Sequence, residues 1–420
     1  MATCGNIVPI VEQLLADLKL SVRDLARNRR RTLSAASAVA AGVVALMLAA
    51  GFIDWIYLAM RDATIHSLLG HVKVVRPGYF GAGAADPFAF LLPDATAPEV
   101  AIIEADPRVR TVAPRLSFNA LLSRGETTVS FVGEGVVPGK EVELGRSISI
   151  TAGRGLTDGN VDEIVVGEGL AAAAGVQPGD TVVLLANTGT GGVNAVEVRV
   201  VGIFASAIKS FDDWSLRMPL ALAQRLLRVS GAHSWTLLLD RTDRTEAVVA
   251  SLRERLPAAK FEVAPWMSLA DFYNKTVALF SRQVAFVRWV IAIIIVLSIA
   301  NSMMMTVMER TGEIGTSMAL GMKRARVQRL FLIQGALLGT FGGIAGAVTG
   351  GVLAHVISAI GIPMPAPPGS SHGYIGEILV TPRLVGEALA LAITTSIAAS
   401  VYPAYKASRM TIVDALRHNR

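Results

Sequence analysis

Side chains suited to acid–base, nucleophilic or metal chemistry are spread through this sequence without the spacing that such chemistry needs. The six histidines form no HExxH or similar metal-ligand pattern, and no serine stands in a GxSxG frame. The glycine-rich stretch NTGTGGVN at 187–194 is not a phosphate-binding GxxxxGK[ST] loop and is typical of a flexible hairpin. The acidic pairs at 162–163 and 212–213 are typical of a solvated surface. The sequence therefore predicts no catalytic, cofactor-binding or metal-binding residue, and hence no enzyme.

One charged, glycine-containing segment does combine residue types and position in a way that indicates function. It reads ERTGEIGTSMALGMKRARVQRL at 309–330 and lies between two long apolar stretches. A short element held at both ends by membrane helices is well placed to receive force from a partner. Ile314 and Met318, four residues apart, predict one apolar edge of a helix, with Arg310 and Glu313 beside it for polar contacts. The alternative is a solvated loop whose cations only orient the protein in the membrane.

Four apolar stretches predict a polytopic α-helical membrane protein, with one membrane helix, a large α+β extracytoplasmic domain and three further helices. Each stretch approaches or exceeds the roughly 20 residues that cross a bilayer, and 52% of the chain is hydrophobic. The predicted boundaries are an amphipathic N-terminal helix in 1–32, membrane helices at 33–58, 281–307, 330–361 and 383–405, the extracytoplasmic domain at 59–280, the charged segment at 308–329, an extracytoplasmic loop at 362–382 and a tail at 406–420.

The distribution of cations predicts the orientation of these helices. Lysines and arginines cluster before the first span, between the second and third, and after the fourth. By the positive-inside rule all three regions are cytoplasmic, so both termini lie inside and 59–280 lies outside. The net charge of +6 is thus a signal of topology. Because the cations lie beside membrane spans rather than among exposed aromatic residues, no nucleic-acid partner is predicted.

Within the extracytoplasmic domain, alternating apolar residues predict short strands and helices. Separate strands are expected at 109–113 and 117–122. The order of strand, helix and strand over 236–263 resembles one half of a ferredoxin-like unit. Four aromatic residues are candidates for an apolar substrate groove, the more common alternative being that each fills the core: Phe80, Phe88, Phe211 and Trp214.

Five glycines leave one side of the third span without side chains: Gly335, Gly339, Gly342, Gly346 and Gly350. The last three form two overlapping GxxxG steps, which allow a second helix to approach closely. Two interpretations remain open, namely packing within the fold and a sliding or dimerising surface. The N-terminal segment has apolar residues at helical spacing and predicts an amphipathic helix along the inner membrane face. Its alternative is a helix that only packs on a partner or on the membrane.

Several motifs, in order, resemble the permease subunits of the MacB, LolC/LolE and FtsX group of ABC transporters. The stretches SVRDLARNRRRTLSAASAVAAGVVAL, GHVKVVRPGYF and GRGLTDGNVDEIVVGEGLAAAAGVQPGDTVVL resemble the family's first helix and its MacB-type core domain. The stretches ERTGEIGTSMALGMKRARVQRLFLIQGALLG and YPAYKASRMTIVDALRHN resemble the FtsX-type permease region. The resemblance covers nearly the whole chain.

The resemblance implies mechanotransmission, in which a separate ABC ATPase dimer binds ATP and the permease carries its motion across the bacterial inner membrane to a domain in the periplasm. It implies a second permease copy, identical or homologous, and an envelope lipid, lipoprotein or hydrophobic compound as substrate. A periplasmic adaptor, carrier or outer-membrane protein is a further expected partner. The alternative is an FtsX-like regulator of an extracytoplasmic cell-wall hydrolase that transports nothing.

By the same resemblance, the segment between the second and third spans is the coupling element that docks on the ATPase. The residues that match the family's motif there are Glu309, Arg310, Glu313, Ile314, Met318, Leu320 and Gly321. This chain carries no ATPase domain of its own, so ATP is expected to be bound by the partner and no cofactor by the permease.

Overall fold

A computed structural model of the chain describes residues 7–83, 85–93, 97–146, 148–206, 209–364 and 374–410. The start of the predicted N-terminal helix, part of the predicted loop at 362–382 and most of the predicted tail lie outside the described residues. The chain divides into two compact units. The helical unit comprises Met1–Tyr57, Val277–Ile362 and Ile375–Arg420, and the sheet unit comprises Leu58–Thr276 with Pro363–Tyr374.

Each of the four predicted membrane spans falls on a long helix. The helices are α1 Ile7–Arg27, α2 Arg29–Thr64, α3 Tyr79–Ala82, α4 Pro98–Glu104, α5 Pro138–Glu141, α6 Glu168–Ala174, α7 Lys209–Asp212, α8 Leu220–Leu227, α9 Thr245–Arg255, α10 Trp266–Leu269, α11 Asp271–Glu309, α12 Thr311–Ala319, α13 Arg324–Ile360 and α14 Pro382–Ser408. Of these, α2, α11, α13 and α14 are long and apolar enough to cross a membrane. Helices α2 and α11 extend beyond the predicted spans, to Thr64 and back to Asp271.

The glycines of α13 bring its backbone against two different helices. A Cβ atom at Gly342 would lie 2.8 Å from the Ala36 carbonyl oxygen of α2, and one at Gly346 would lie 2.7 Å from that of Ala40. At Gly339 an added Cβ would instead meet Ser396 of α14 at 2.8 Å. The same pattern holds at the two remaining sites, where the neighbours are Ser400 of α14 for Gly335 and Met47 of α2 for Gly350. These contacts support packing within one chain, and the sliding or dimerising surface stays a prediction.

The strands of the sheet unit divide into two lobes that share one long strand. The strands are β1 Val72–Val75, β2 Val109–Arg124, β3 Thr127–Val136, β4 Ser149–Gly153, β5 Glu163–Gly167, β6 Thr181–Asn187, β7 Val193–Ala205, β8 Ser215–Pro219, β9 Ser234–Leu239 and β10 Glu262–Pro265, followed later in the chain by the short β11 Ile362–Met364 and β12 Tyr374–Gly376. The two strands predicted at 109–113 and 117–122 are one strand, β2, so that prediction was wrong. Pro114 lies within β2 opposite Trp235.

The first lobe has the strand order β10-β1-β9-β2, with antiparallel neighbours throughout. Helix α4 connects β1 to β2, and α9 connects β9 to β10. This is the arrangement of two split βαβ units in a ferredoxin-like fold. The predicted half at the end of the domain, β9, α9 and β10, is therefore confirmed. The other half is formed by β1, α4 and β2. Its core contains Val74, Leu237 and Val249.

The second lobe is inserted between β2 and β9 and closes on itself. Its pairings run β2 to β3, β3 to β8, β8 to β5, β5 to β7, β7 to β6 and β6 back to β2. A closed ring leaves no unpaired edge among its own strands. Leu122, Phe131, Val166 and Leu184 fill its interior, and β4 is added outside the ring on β7.

Candidate functional site

The predicted coupling segment folds as the short helix α12 with a turn on each side, followed from Arg324 by the start of α13. Helix α11 ends at Glu309, Arg310 forms the turn, and α12 begins at Thr311, whose hydroxyl donates to the Val307 and Met308 carbonyl oxygens at 3.1 and 2.7 Å. After α12, Gly321 adopts a φ of +98°, a conformation that favours glycine. The prediction of a helix here is confirmed, but Glu309, Arg310, Leu320 and Gly321 lie outside it.

The apolar edge of α12 faces the helical core. Met318 is only 8% exposed and belongs to the same core cluster as Val327 and Phe331, and Ile314 packs against this cluster. The predicted apolar edge of Ile314 and Met318 therefore exists and packs against the helical core, and its contact with an ATPase stays a prediction. The exposed apolar side chain of the segment is Leu320, at 84%.

Arg310 and Glu313 are also held within the chain. The Arg310 guanidinium donates to both oxygens of Asp24 at 2.8 and 3.0 Å and, through Nε, to Glu313 Oε2 at 2.8 Å. Glu313 Oε1 accepts from Arg27 at 2.5 Å. Hydrogen bonds from Arg310 and then Arg27 lower the pKa of Glu313. Burial works against the Arg310 cation, but its bonds to Asp24 and Glu313 raise its pKa overall. Both residues thus fix the orientation of α12.

Reasoning from the sequence missed the partners of this segment. Glu309 pairs with Arg31 of α2 through two contacts. On α1, Asp24 is the partner of Arg310 and Arg27 is the partner of Glu313. An acidic residue such as Asp24 beside a basic run is a visible signal in the sequence, but it does not say which of several nearby arginines will be its partner.

The aromatic candidates of the sheet unit do not form one wall. Phe88 packs against the core of the closed lobe, whereas Phe211 packs against a separate cluster with Phe204, ring centroids 6.1 Å apart. Phe80 and Trp214 are exposed large side chains, and Phe80 contacts the Tyr79 ring. Phe88 and Phe211 therefore support two different cores, and a groove involving the two exposed residues stays a prediction.

A buried ionic cluster joins the two lobes of the sheet unit. Arg115 on β2 donates to both oxygens of Glu141 at 2.8 and 2.9 Å and to Glu134 at 3.3 Å. Arg217 on β8 pairs with Glu134 at 2.7 Å and Glu141 at 3.5 Å. Burial disfavours the Glu134 carboxylate, but Arg115 and Arg217 outweigh it and lower its pKa. Lys73 on β1 is a third cation near these two carboxylates. Burial, together with the charge of Arg115, lowers the pKa of Lys73 to about 8.

His71 is a structural residue of the same unit. Its Nδ1 accepts from the Leu239 backbone N–H at 3.2 Å, so its Nε2 carries the proton and donates to the Thr242 hydroxyl at 3.0 Å. Burial, reinforced by neighbouring cations, lowers the pKa of His71 to about 4. Among the described residues no group of three or more His, Cys, Asp or Glu side chains is arranged to hold a metal ion.

Comparison with known proteins agrees with this architecture. The model of the MacB-like periplasmic core domain matches residues 32–255, and that of the FtsX-like permease C-terminal region matches residues 285–412. The chain belongs to the MacB, LolC and FtsX group of ABC transporter permeases. It is therefore a multi-pass membrane permease, and no enzyme domain is indicated.

Two relatives represent the similarity. The lipoprotein-releasing system transmembrane protein LolC of Xylella fastidiosa is 28% identical, over 76% of this chain and 80% of the relative. The macrolide export ATP-binding/permease protein MacB of Hyphomonas neptunium is 30% identical over 49% of this chain, which corresponds to 30% of the longer relative.

Proposed function

We propose that this permease carries motion from a separate ABC ATPase dimer across the inner membrane to the sheet unit. The observation that supports this most is the structure of α12. Its inner side is fixed to the helical core by Met318, and its end presents the exposed Leu320. An element fixed on one side and free on the other moves with its helices when a partner pushes on it. In this proposal Leu320, Gly321 and Glu309 contact the ATPase, whereas Arg310, Glu313, Ile314 and Met318 hold α12 in place.

The proposed topology places both termini and α12 in the cytoplasm and the sheet unit in the periplasm. The clusters of lysine and arginine beside the spans support this orientation. The chain order of one long helix, the sheet unit and three long helices is consistent with it. The proposed assembly has a second permease copy, identical or homologous, and ATP is bound by the ATPase.

The proposed substrate is an envelope lipid, lipoprotein or hydrophobic compound, extracted or exported on the periplasmic side. The two relatives support this class by their names, since one belongs to a lipoprotein-releasing system and the other to macrolide export. A periplasmic adaptor, carrier or outer-membrane protein would receive the substrate.

The test is ATP turnover by the partner ATPase co-purified with this chain in lipid nanodiscs. We expect Leu320→Asp to abolish co-purification or to reduce permease-stimulated turnover by about tenfold or more, because a charge replaces the exposed apolar contact. The matched control is Val193→Asp, another highly exposed apolar position, on the sheet unit, which should leave both unchanged. Full co-purification and turnover with Leu320→Asp would contradict the proposed docking edge.

A separate assay distinguishes transport from regulation. Proteoliposomes loaded with a fluorescent lipid or lipoprotein should release it to an acceptor only with ATP and both subunits. ATP-dependent activation of a cell-wall hydrolase with no such release would instead support the FtsX-like alternative.

A further inference from the structure

Helix α1 has a buried acidic side and an exposed apolar side, the reverse of a helix on the surface of a soluble protein. Asp17 is 0% exposed and Ser21 is likewise buried, while Leu15 is 56% exposed and Leu18 and Val22 are also exposed. At 3.6 residues per turn the two sets lie on different sides of the helix. The apolar side is therefore not covered by the part of the chain that the structure describes.

The first half of the acidic side contacts the start of α13. Asp17 Oδ1 accepts from Arg326 Nε at 3.0 Å, and Oδ2 accepts from Arg329 Nε at 2.8 Å. One turn later, the Ser21 hydroxyl donates to the Leu330 carbonyl oxygen at 3.4 Å. A fully buried carboxylate between two guanidinium groups is costly to disrupt, because loss of its charge leaves two cations without their partner.

The second half of the acidic side contacts the start of α12. Asp24 lies two turns after Asp17 and therefore on the same side of α1. It accepts both contacts from Arg310 and a third from Gln334 Nε2 at 3.2 Å. Arg310 continues the connection to Glu313 of α12. Asp17 and Asp24 thus hold the two ends of the segment that runs from Arg310 to Arg329.

The apolar side carries features that fit a lipid surface. Lys19 and Arg23 are exposed and border Leu15, Leu18 and Val22 on the helix surface. Cations at the border of an exposed apolar stripe are typical of helices that lie in the interface of a bilayer with anionic lipids. The basic run RNRRR contains the last residue of α1 and the first three residues of α2, the first long apolar helix.

We propose that α1 is a membrane-bound brace for the coupling segment. Its apolar side inserts into the inner leaflet, and Asp17 and Asp24 are positioning residues that keep α12 and the start of α13 at a fixed depth below the membrane. The consequence for ATP-driven motion rests on the proposed function, whereas the brace itself is a property of this chain alone.

The ionic part is tested by a charge exchange in nanodiscs. We expect Asp24→Arg to speed hydrogen exchange of residues 310–329 in the permease alone, and to reduce stimulated ATP turnover by about tenfold while the ATPase still co-purifies, because Leu320 is unchanged. The double variant Asp24→Arg with Arg310→Asp should recover both in part, because the exchange restores the pair with position 24 but not the bond from Arg310 to Glu313. Asp17→Asn should act like Asp24→Arg, and Glu12→Gln, at an exposed acid of α1, should have no effect.

Two results would overturn the ionic part of the proposal. One is unchanged hydrogen exchange and turnover in both Asp24→Arg and Asp17→Asn. The other is a folded double variant that recovers neither. If wild-type permease stimulates no ATPase at all, the proposed function fails, and the hydrogen-exchange comparison still decides whether the brace exists.

The lipid part is tested by quenching in the full chain. Leu18→Cys and Lys19→Cys, each combined with Cys4→Ser, are labelled with an environment-sensitive fluorophore in nanodiscs that contain doxyl-labelled lipid. We expect at least a twofold stronger quenching from position 18 than from position 19, because neighbouring residues on a helix point about 100° apart. Equal quenching at both positions, or none at position 18, would overturn membrane insertion.

Discussion

The buried cluster of the sheet unit and the pair at the surface of α12 use charged side chains in opposite ways. In the sheet unit Arg115 is 2% exposed on its side chain and lies between Glu134 and Glu141. In the helical unit the pair between Arg27 and Glu313 is 58% and 49% exposed. A buried cluster tolerates one arrangement, because any broken pair leaves an uncompensated charge, whereas an exposed pair contributes little and exchanges easily. The sheet unit therefore keeps its shape through buried charges, whereas on α12 the exposed Arg27–Glu313 pair adds little to the less exposed pair between Arg310 and Asp24.

The largest predicted effect comes from breaking the buried cluster. We expect Arg115→Met to lower the free energy of unfolding of the sheet unit by about 3–5 kcal/mol, because Glu141 and Glu134 keep their burial and lose their main cation. Urea unfolding of the full chain, followed by hydrogen exchange of β2 and β3, measures this.

The control lies on the same strand. Arg110 pairs with Glu143 at 3.8 Å, and both side chains are about half exposed. Arg110→Met should therefore cost less than about 1 kcal/mol. Equal losses for the two arginines would contradict the contrast between buried and exposed charges.

A second, smaller effect is expected from acid. The pKa of His71 is about 4 in the folded protein and about 6.5 when unfolded, so the unfolded chain takes up the proton first as the pH falls. The stabilisation is fully present above pH 6.5 and is lost between pH 6.5 and 4, by about 3 kcal/mol in total.

Urea unfolding at pH 7 and at pH 4.5, read from hydrogen exchange of β9, measures this loss. His71→Gln should remove most of the difference between the two pH values, since the variant has no imidazole to protonate. A variant with the same pH dependence as wild type would show that other groups cause it.

The smallest predicted effect concerns the helical unit, which is held by close backbone contact. Gly342→Ala places a methyl group 2.8 Å from the Ala36 carbonyl oxygen and should cost about 1–3 kcal/mol. Gly351→Ala is the matched control, because among the described residues no heavy atom outside the adjoining backbone of α13 lies within 4 Å of an added Cβ there. Thermal unfolding in nanodiscs compares them. A control as unstable as Gly342→Ala would show that the contact with α2 is not the cause.

Periodicity and turn residues predicted the elements of this fold better than their partners. The strand, helix and strand expected over 236–263 are observed as β9, α9 and β10, and the four spans were visible because apolar length is a local property. Two strands were expected over 109–122, but β2 continues through Pro114, although proline cannot donate a ladder hydrogen bond. The closure of the second lobe depends on pairing between distant strands such as β2 and β6, for which a single sequence carries no local signal.

The coupling site shows the same limit. The spacing of Ile314 and Met318 correctly indicated one apolar edge, but spacing does not say whether a partner or the same chain covers it. The position of Asp17 among leucines likewise did not reveal that it would be buried between Arg326 and Arg329. Both outcomes depend on how α1, α12 and α13 meet.

The most direct test of the account is photocrosslinking to the ATPase from single positions of the segment in the assembled complex. A photoreactive residue replaces Leu320 in one variant and Met318 in another, two residues apart but opposite in exposure. We predict ATP-dependent crosslinks to the ATPase from position 320 and none from position 318, where the side chain faces the core. Crosslinks from position 318 without any from position 320 would contradict the proposed coupling edge.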